Sequence, residues 1–232
     1  MKKNLKAQIC FITGTDTGVG KTILTALLTR YLRDRGSAVA ALKPISSGGR
    51  GDARALHNAT DGALSLDEIN PWHYRAPLAP LLAARSEGKR VKLEDVLAHV
   101  RKVQRRFELV LVEGAGGLLT PLGEGFNARD LIVGLNATSL IVCPNRLGAV
   151  SHALLTVEAL PPRAAKKVLI DLISPRRASA ASKTNPNLLA EFLDRNQVLV
   201  LPWLRNHHRL RVALKNPRVL RVLEGLAQRV VG

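Results

Sequence analysis

Short runs of β-branched and apolar residues alternate along the chain with longer stretches whose apolar positions recur every three or four residues. The short runs carry few polar positions, as strands covered on both faces do. They predict strands over 8–13, 38–42, 109–113, 139–143 and 167–172, with a sixth over 198–201. The longer stretches predict helices over 21–35, 93–107, 149–160, 187–195 and 217–231, and in the first of these Leu24, Leu27, Leu28 and Leu32 share one face. Alternation of this kind is the habit of β-α-β units, so the expected fold is α/β, a doubly wound and mostly parallel sheet flanked by helices. The region 46–92, with several Gly and Pro residues and little period, is expected to fold over one end of the sheet. No repeat or low-complexity linker divides the chain, and a single domain over 1–232 is expected.

Composition narrows this picture. Of 232 residues 46% are apolar and 23% charged, which supports a large core, and with only 3% aromatic that core must be aliphatic. Cys10 and Cys143 each sit inside a strand-like run with no CxxC or Cys/His cluster, so they read as buried hydrophobes rather than a disulfide or zinc site. No apolar stretch has the length of a membrane span. The start is basic, then briefly apolar, and turns directly into a Gly/Thr loop rather than a cleavage site, so a cytoplasmic protein is expected. Lys and Arg exceed Asp and Glu by 17 charges, clustered at 101–106 and 205–221. Such runs are usually solvated helix faces; salt-sensitive adhesion to polyanions follows from them, a specific nucleic-acid partner does not.

Chemistry first appears after the first strand, in Gly14-Thr15-Asp16-Thr17-Gly18-Val19-Gly20-Lys21-Thr22, which opens a helix. Glycines there let successive backbone N–H groups face an anion, the helix start adds positive potential, Lys21 reaches β- and γ-phosphates, and the Thr22 hydroxyl ligates Mg²⁺. Thr15 stands where the strict phosphate-loop pattern would have Gly, so the loop is a deviant form of the P-loop NTPase type. Magnesium needs carboxylates from neighbouring strand ends. Glu113 closes LVLVE before Gly114-Ala115-Gly116-Gly117, and Asp52 lies in GGRGDAR. Alone, either is a cap or a solvated charge; beside a phosphate loop both become candidate ligands. Lys43 closes the second strand and can bring a second cation to a transferring phosphate, with Ser47 and Gly48 as donors to an anion.

These pieces, GTDTGVGKT, KPISSG, GDA, VEGAGG, LGAVSHALLT and PWL, together with NPWHYRAPLAP at 70–80, resemble the dethiobiotin synthetase family in the same order over residues 9–204. The resemblance implies ATP- and Mg²⁺-dependent closure of a cyclic urea from 7,8-diaminononanoate and CO₂ or bicarbonate, through a carbamate and a carbamic-phosphoric anhydride. It implies that Gly18, Val19, Gly20, Lys21, Thr22 and Ile23 cradle phosphates and that Thr22, Asp52 and Glu113 hold magnesium. Lys43, with Lys21, would be catalytic. Gly114, Ala115, Gly116, Asp171, Leu172, Pro202, Trp203 and Leu204 would complete the nucleotide site. Thr17 and Ser47 would touch the diamine, and in a homodimer Leu147, Gly148, Ala149, Val150 and Ser151 would bind its tail carboxylate at the subunit interface.

Departures from the family pattern cluster around the base and the tail. Asp171 stands where the family usually ends a strand with Asn; an ionised carboxylate only accepts hydrogen bonds, so weaker adenine selectivity, with GTP or CTP tolerated, is expected. Ser151 replaces the usual Asn before His152, which reads as a hydrogen-bonded structural histidine, and 205–210 offers no acidic residue near the ribose. Three rivals remain: a partition-type P-loop ATPase associated with DNA, against which Asp16 stands where that group has a signature lysine; an amide-forming synthetase, for which the chain is too short to carry a glutaminase domain; and an inactive relative with altered nucleotide preference.

Overall fold

The structure is a computed structural model that describes residues 7–205 and 209–231. The basic start at 1–6 and the middle of the 205–210 stretch lie outside the described residues. From the amino end, β1 (Gln8–Gly14) leads through the glycine-rich loop into α1 (Lys21–Arg33), followed by β2 (Val39–Leu42). Region 46–92 holds more order than its composition suggests: β3 (Ile45–Ser47) pairs in parallel with β4 (Trp72–Tyr74), with α2 (Gly51–Ala59) and α3 (Leu66–Ile69) between them and α4 (Pro80–Ser86) after. Then come α5 (Leu93–Gln104), β5 (Leu109–Glu113) and a small hairpin of β6 (Pro121–Gly123) and β7 (Phe126–Asn127). Next are α6 (Ala128–Leu135), β8 (Thr138–Pro144), α7 (Ala149–Glu158) and α8 (Pro162–Ala165). Last are β9 (Leu169–Ile173), α9 (Ala180–Phe192), β10 (Val198–Leu201), α10 (Leu210–Ala213) and α11 (Pro217–Val230).

The main sheet runs β10-β9-β8-β1-β5-β2, every pair parallel. From β1 the chain builds outward to β2, returns through β5, then crosses to β8 and builds outward to β10. That reversal opens a crevice at the carboxyl ends of the central strands, where ligands bind in such sheets. α1, α10 and α11 pack together on one face, while α5, α6, α7 and α9 cover the other. Burial on both faces explains why β5 reads LVLVE with every position buried. The core is aliphatic, and both cysteines are free and buried in it. Among the described residues no helix is long and apolar enough to cross a membrane.

Helix α9 differs most from the expected boundaries, which placed its start at Asn187. It begins at Ala180, capped by Ser179, and runs through Pro186. Proline cannot donate to the carbonyl four residues back, which is that of Ser182. The Asn145 side-chain amide donates to that carbonyl instead, at 2.8 Å, and Asn185 donates to Asn145 Oδ1 at 2.9 Å. The breaker is thus compensated by a side chain from the end of β8. The hairpin and α6, where no element was expected, are fixed locally: Asn127 accepts from Arg129 N while Asp130 accepts from Asn127 N.

Candidate active site

The phosphate loop joins the end of β1 to the start of α1. A Cβ on Gly14 would lie 2.7 Å from Val19 Cγ2 and 3.1 Å from Lys21 Nζ, so the loop closes only over a glycine. Gly20, with φ of 104°, turns the chain into α1 in the left-handed region. No side chain caps α1 and no acidic residue occupies its first turn, which leaves its N–H groups and its positive potential free for an anion. Lys21, 6% exposed, folds back and donates to Asp16 O at 2.8 Å. Burial, aided by the nearby Lys43 charge, lowers its pKa to about 8, against the opposite pull of Glu113, Asp52 and Asp16.

Two strand ends and the start of α2 bring the remaining charges to the same place. Lys43, just beyond β2 and 4% exposed, donates to Glu113 Oε1 at 2.6 Å and Gly114 O at 3.1 Å, and lies 2.9 Å from Asp52 Oδ2. Burial opposes its charge, but the two carboxylates outweigh burial and hold its pKa above the ordinary value. Asp52, in the first turn of α2, is held low in turn: burial raises it, and Lys43 with Thr22 more than reverses this. Thr22 Oγ1 donates to Glu113 Oε1 at 2.7 Å, whereas the buried Glu113 Oε2 has no partner. That orphaned oxygen, a hydroxyl and a second carboxylate are the few hard ligands Mg²⁺ takes from protein when phosphates and water supply the rest. Among the described residues no group of three or more His, Cys, Asp or Glu gathers as a metal site, here or elsewhere.

A cavity of about 660 Å³ opens over this cluster. It is lined by Thr17, Gly18, Gly20, Lys21, Thr22, Ile23, Lys43, Ser47, Asp52, Glu113, Ala115 and Gly116, all expected in the site from the sequence, and by Ser46, Thr120 and the 77–80 segment, to which no site role was assigned. Val19 is buried against the core, and Gly114 contributes its carbonyl to Lys43. Ser47 is committed, donating to Leu78 O at 2.6 Å, and so fixes the cavity wall. Asn70 holds the β2 end: its Nδ2 donates to Lys43 O at 2.7 Å, while its Oδ1 accepts from Ser46 and Arg50. The sequence signal for Asn70 was its place in NPWHYR, yet only the fold shows that it positions Lys43.

The other singled-out residues lie elsewhere. Gly148, with φ of 89°, opens α7 at Ala149; Leu147 is 87% exposed, and Val150 and Ser151 lie in the first turn. None of 147–151 reaches the Lys43 cavity. Below them a second cavity of about 590 Å³ is lined by Asp16, Thr120, Arg146, His152 and Leu155 among others, and meets the first at Thr120. His152 is exposed and its ring has no hydrogen bond among the described residues, which corrects the expectation of a hydrogen-bonded structural histidine. Pro202, Trp203 and Leu204 follow β10; Trp203 and Leu204 line a small separate cavity, and the Arg176 guanidinium lies 5.7 Å from the Trp203 ring centre. Leu172 and Asp171 are fully buried inside β9. Asp171 is therefore not the strand's last residue, and burial pushes its carboxyl up to about 8, which corrects the picture of an ionised acceptor at the strand tip.

Comparison with known proteins agrees with this arrangement. Residues 8–209 match the family described as AAA domain. The ATP-dependent dethiobiotin synthetase BioD of Bacillus velezensis is 39% identical over 77% of this chain and 79% of its own length. That of Thermodesulfovibrio yellowstonii is 34% identical over 89% of this chain and 94% of its own. The chain belongs to the dethiobiotin synthetase family. As a P-loop NTPase it also shares its fold with more distant proteins. A ParA family ATPase from Chlorobium tepidum aligns with a TM-score of 0.60 at 14% identity, covering 96% of this chain and 98% of the other. The MinD cell division protein of Aquifex aeolicus aligns at 0.60 and 18%, covering 97% and 98%. At those identities the likeness is one of fold alone.

Proposed function

We propose that the protein is a dethiobiotin synthetase, a cytoplasmic cyclo-ligase that uses ATP to join 7,8-diaminononanoate and CO₂ into a cyclic urea. The observation that carries this reading is the convergence of Lys21 and Lys43 on one cavity, with a carboxylate pair behind Lys43 and a free helix start beneath Lys21. An amine and CO₂ give a carbamate, whose oxygen attacks the γ-phosphorus while the bond to ADP breaks. The second amine then attacks the carbamate carbon and phosphate leaves. Two anions must meet in the first step, so the chemistry asks for cations and orientation more than for a reacting side chain. Lys21 and the α1 N–H groups neutralise the β- and γ-phosphates, and Lys43 neutralises the charge that develops between carbamate and phosphorus. Thr22, Asp52 and Glu113 would hold Mg²⁺, which supplies further charge neutralisation on the phosphates.

The tail carboxylate of the diamine is assigned to the start of α7, Leu147 to Ser151, of a second copy in a homodimer. This assignment is supported by the absence of these residues from the Lys43 cavity and by the exposed Leu147 and Leu155 around them. The likeness in fold to ParA and MinD speaks for a second reading, an ATPase associated with DNA. One assay separates the two: phosphate release with ATP and Mg²⁺, with or without the diamine and bicarbonate, and with or without duplex DNA. The ligase reading expects release that depends on the diamine and falls about 100-fold or more in Lys43→Ala. Release indifferent to the diamine and stimulated by DNA would establish the second reading instead.

A further inference from the structure

Lys43 and Asp52 meet at 2.9 Å, yet the chain just before Asp52 cannot hold that spacing by itself. Residues 48, 49 and 51 are all glycine, which leaves Arg50 as the one side chain able to tie the segment down. Gly48 and Gly49 have φ of 73° and 120°, and a Cβ on Gly49 or Gly51 would meet nothing within 4 Å. Such a stretch has wide conformational freedom and no packing of its own. It nevertheless leads straight into α2, whose second residue is Asp52. The body of α2 is fixed through the buried Ala53, Leu56 and Ala59, but its start has no side-chain cap.

Arg50 supplies the missing tie. Its half-buried guanidinium donates to Leu66 O at 2.7 Å, to Asn70 O at 3.2 Å and, through Nε, to Asn70 Oδ1 at 3.2 Å. The same Asn70 side chain donates to Lys43 O, and Lys43 N donates to Ile69 O at 3.0 Å. Residues 66–70 are thus gripped from one side by the residue that precedes α2 and from the other by the strand end that carries Lys43. A planar fork that reaches three oxygens fixes direction as well as distance. Asp67 Oδ1 is also 2.8 Å from Arg50 Nη2, but its side chain is 84% exposed, and an ion pair in water holds little.

We propose that Arg50 is a positioning residue for the nucleotide site: by anchoring the start of α2 to Asn70, it holds Asp52 where Mg²⁺ on a bound nucleotide is received. Arg50 does not line the Lys43 cavity and acts through Asp52, which does. Magnesium demands near-ideal octahedral geometry, so a carboxylate displaced by a fraction of an ångström serves it poorly. The inference rests on the magnesium and nucleotide part of the proposed function and needs none of the diamine chemistry. Charge alone predicts the opposite sign. Removing a cation near the carboxylates of a metal site strengthens Mg²⁺ binding, whereas losing the anchor weakens it.

The test is equilibrium binding of a fluorescent ATP analogue to the full chain in EDTA and in excess Mg²⁺, the ratio giving the gain in affinity due to the metal. Arg50→Ala is expected to lower that gain about tenfold, while affinity in EDTA, set by the phosphate loop, stays within about twofold. Asp67→Asn is expected to match wild type. Arg50→Lys keeps the stem and the charge at less risk to the fold but gives up the fork, and its gain is expected to fall between the two. An unchanged or larger gain in folded Arg50→Ala overturns the proposal, as does a full gain in Arg50→Lys. Equal losses in EDTA and in Mg²⁺ overturn it too, because they report a general loosening. A loss in Asp67→Asn as large as in Arg50→Ala refutes the link through Asn70. A wild-type protein without a Mg²⁺ gain removes the proposal together with the metal site, whereas the expected pattern without diamine-dependent turnover supports it while the ligase reading fails.

Discussion

Two buried ionisable residues carry opposite lessons. Lys43 keeps its charge because Glu113 and Asp52 are within 2.6 and 2.9 Å, so the cost of burying it is offset by two carboxylates. Asp171 has no such partners and remains a neutral acid at pH 7. Its ordinary value of 3.8 applies to the unfolded chain, against about 8 in the folded protein. Between these values the unfolded state has released a proton that the folded state keeps, so this group makes stability fall as pH rises from about 4 to about 8 and leaves it level above. Asp171→Asn removes that slope, and the variant is expected to be more stable at pH 7 by up to about 4 kcal/mol. Urea denaturation of both proteins at pH 5 and pH 7 checks it; equal stabilities at pH 7 would show that the carboxyl is not held neutral.

At the level of elements, the strands of the main sheet, α1 and α11 were legible because their apolar spacing matches burial on one or both faces. α11 shows this best, with Asn216 capping, Pro217 at its first position, and Val219, Leu223, Leu226 and Val230 buried. What was not legible depended on partners distant in sequence. Pro186 reads as a breaker until Asn145, 37 residues before Ser182, reaches the carbonyl that proline leaves free. Asn145→Leu is therefore expected to leave the Ser182 carbonyl without a partner and the Asn185 amide with only the Arg146 carbonyl, at a cost of about 2 kcal/mol in the same unfolding experiment. A loss within error of zero would mean that water replaces the amide. The same reason hid part of the site: the GKT loop, Lys43 and Glu113 announce themselves by motif, but Asn70 matters through a contact with the Lys43 carbonyl. Asp171 was read as a strand tip because a strand end shifted by one residue looks the same in sequence.

Across the whole molecule, the crossover from β5 to β8 divides the labour. β1, β2 and β5 deliver the charged cluster, while α7, which follows β8, presents Leu147 and Leu155, 87% and 65% exposed, beside a cavity that meets the first at Thr120. Exposed leucines around a helix start suit a covered surface, in keeping with the proposed homodimer. Leu155→Glu is expected to shift the protein from dimer to monomer in sedimentation and to raise KM for the diamine, while leaving nucleotide binding intact. A monomeric wild-type protein with full turnover would refute the shared site. In the proposed reaction, phosphate release is tied to carbon capture. The most direct measurement follows isotope-labelled bicarbonate into product with ATP, Mg²⁺ and the diamine present. One labelled carbon in the ureido group for each phosphate released is the expected result, and phosphate released without label in any product would contradict it.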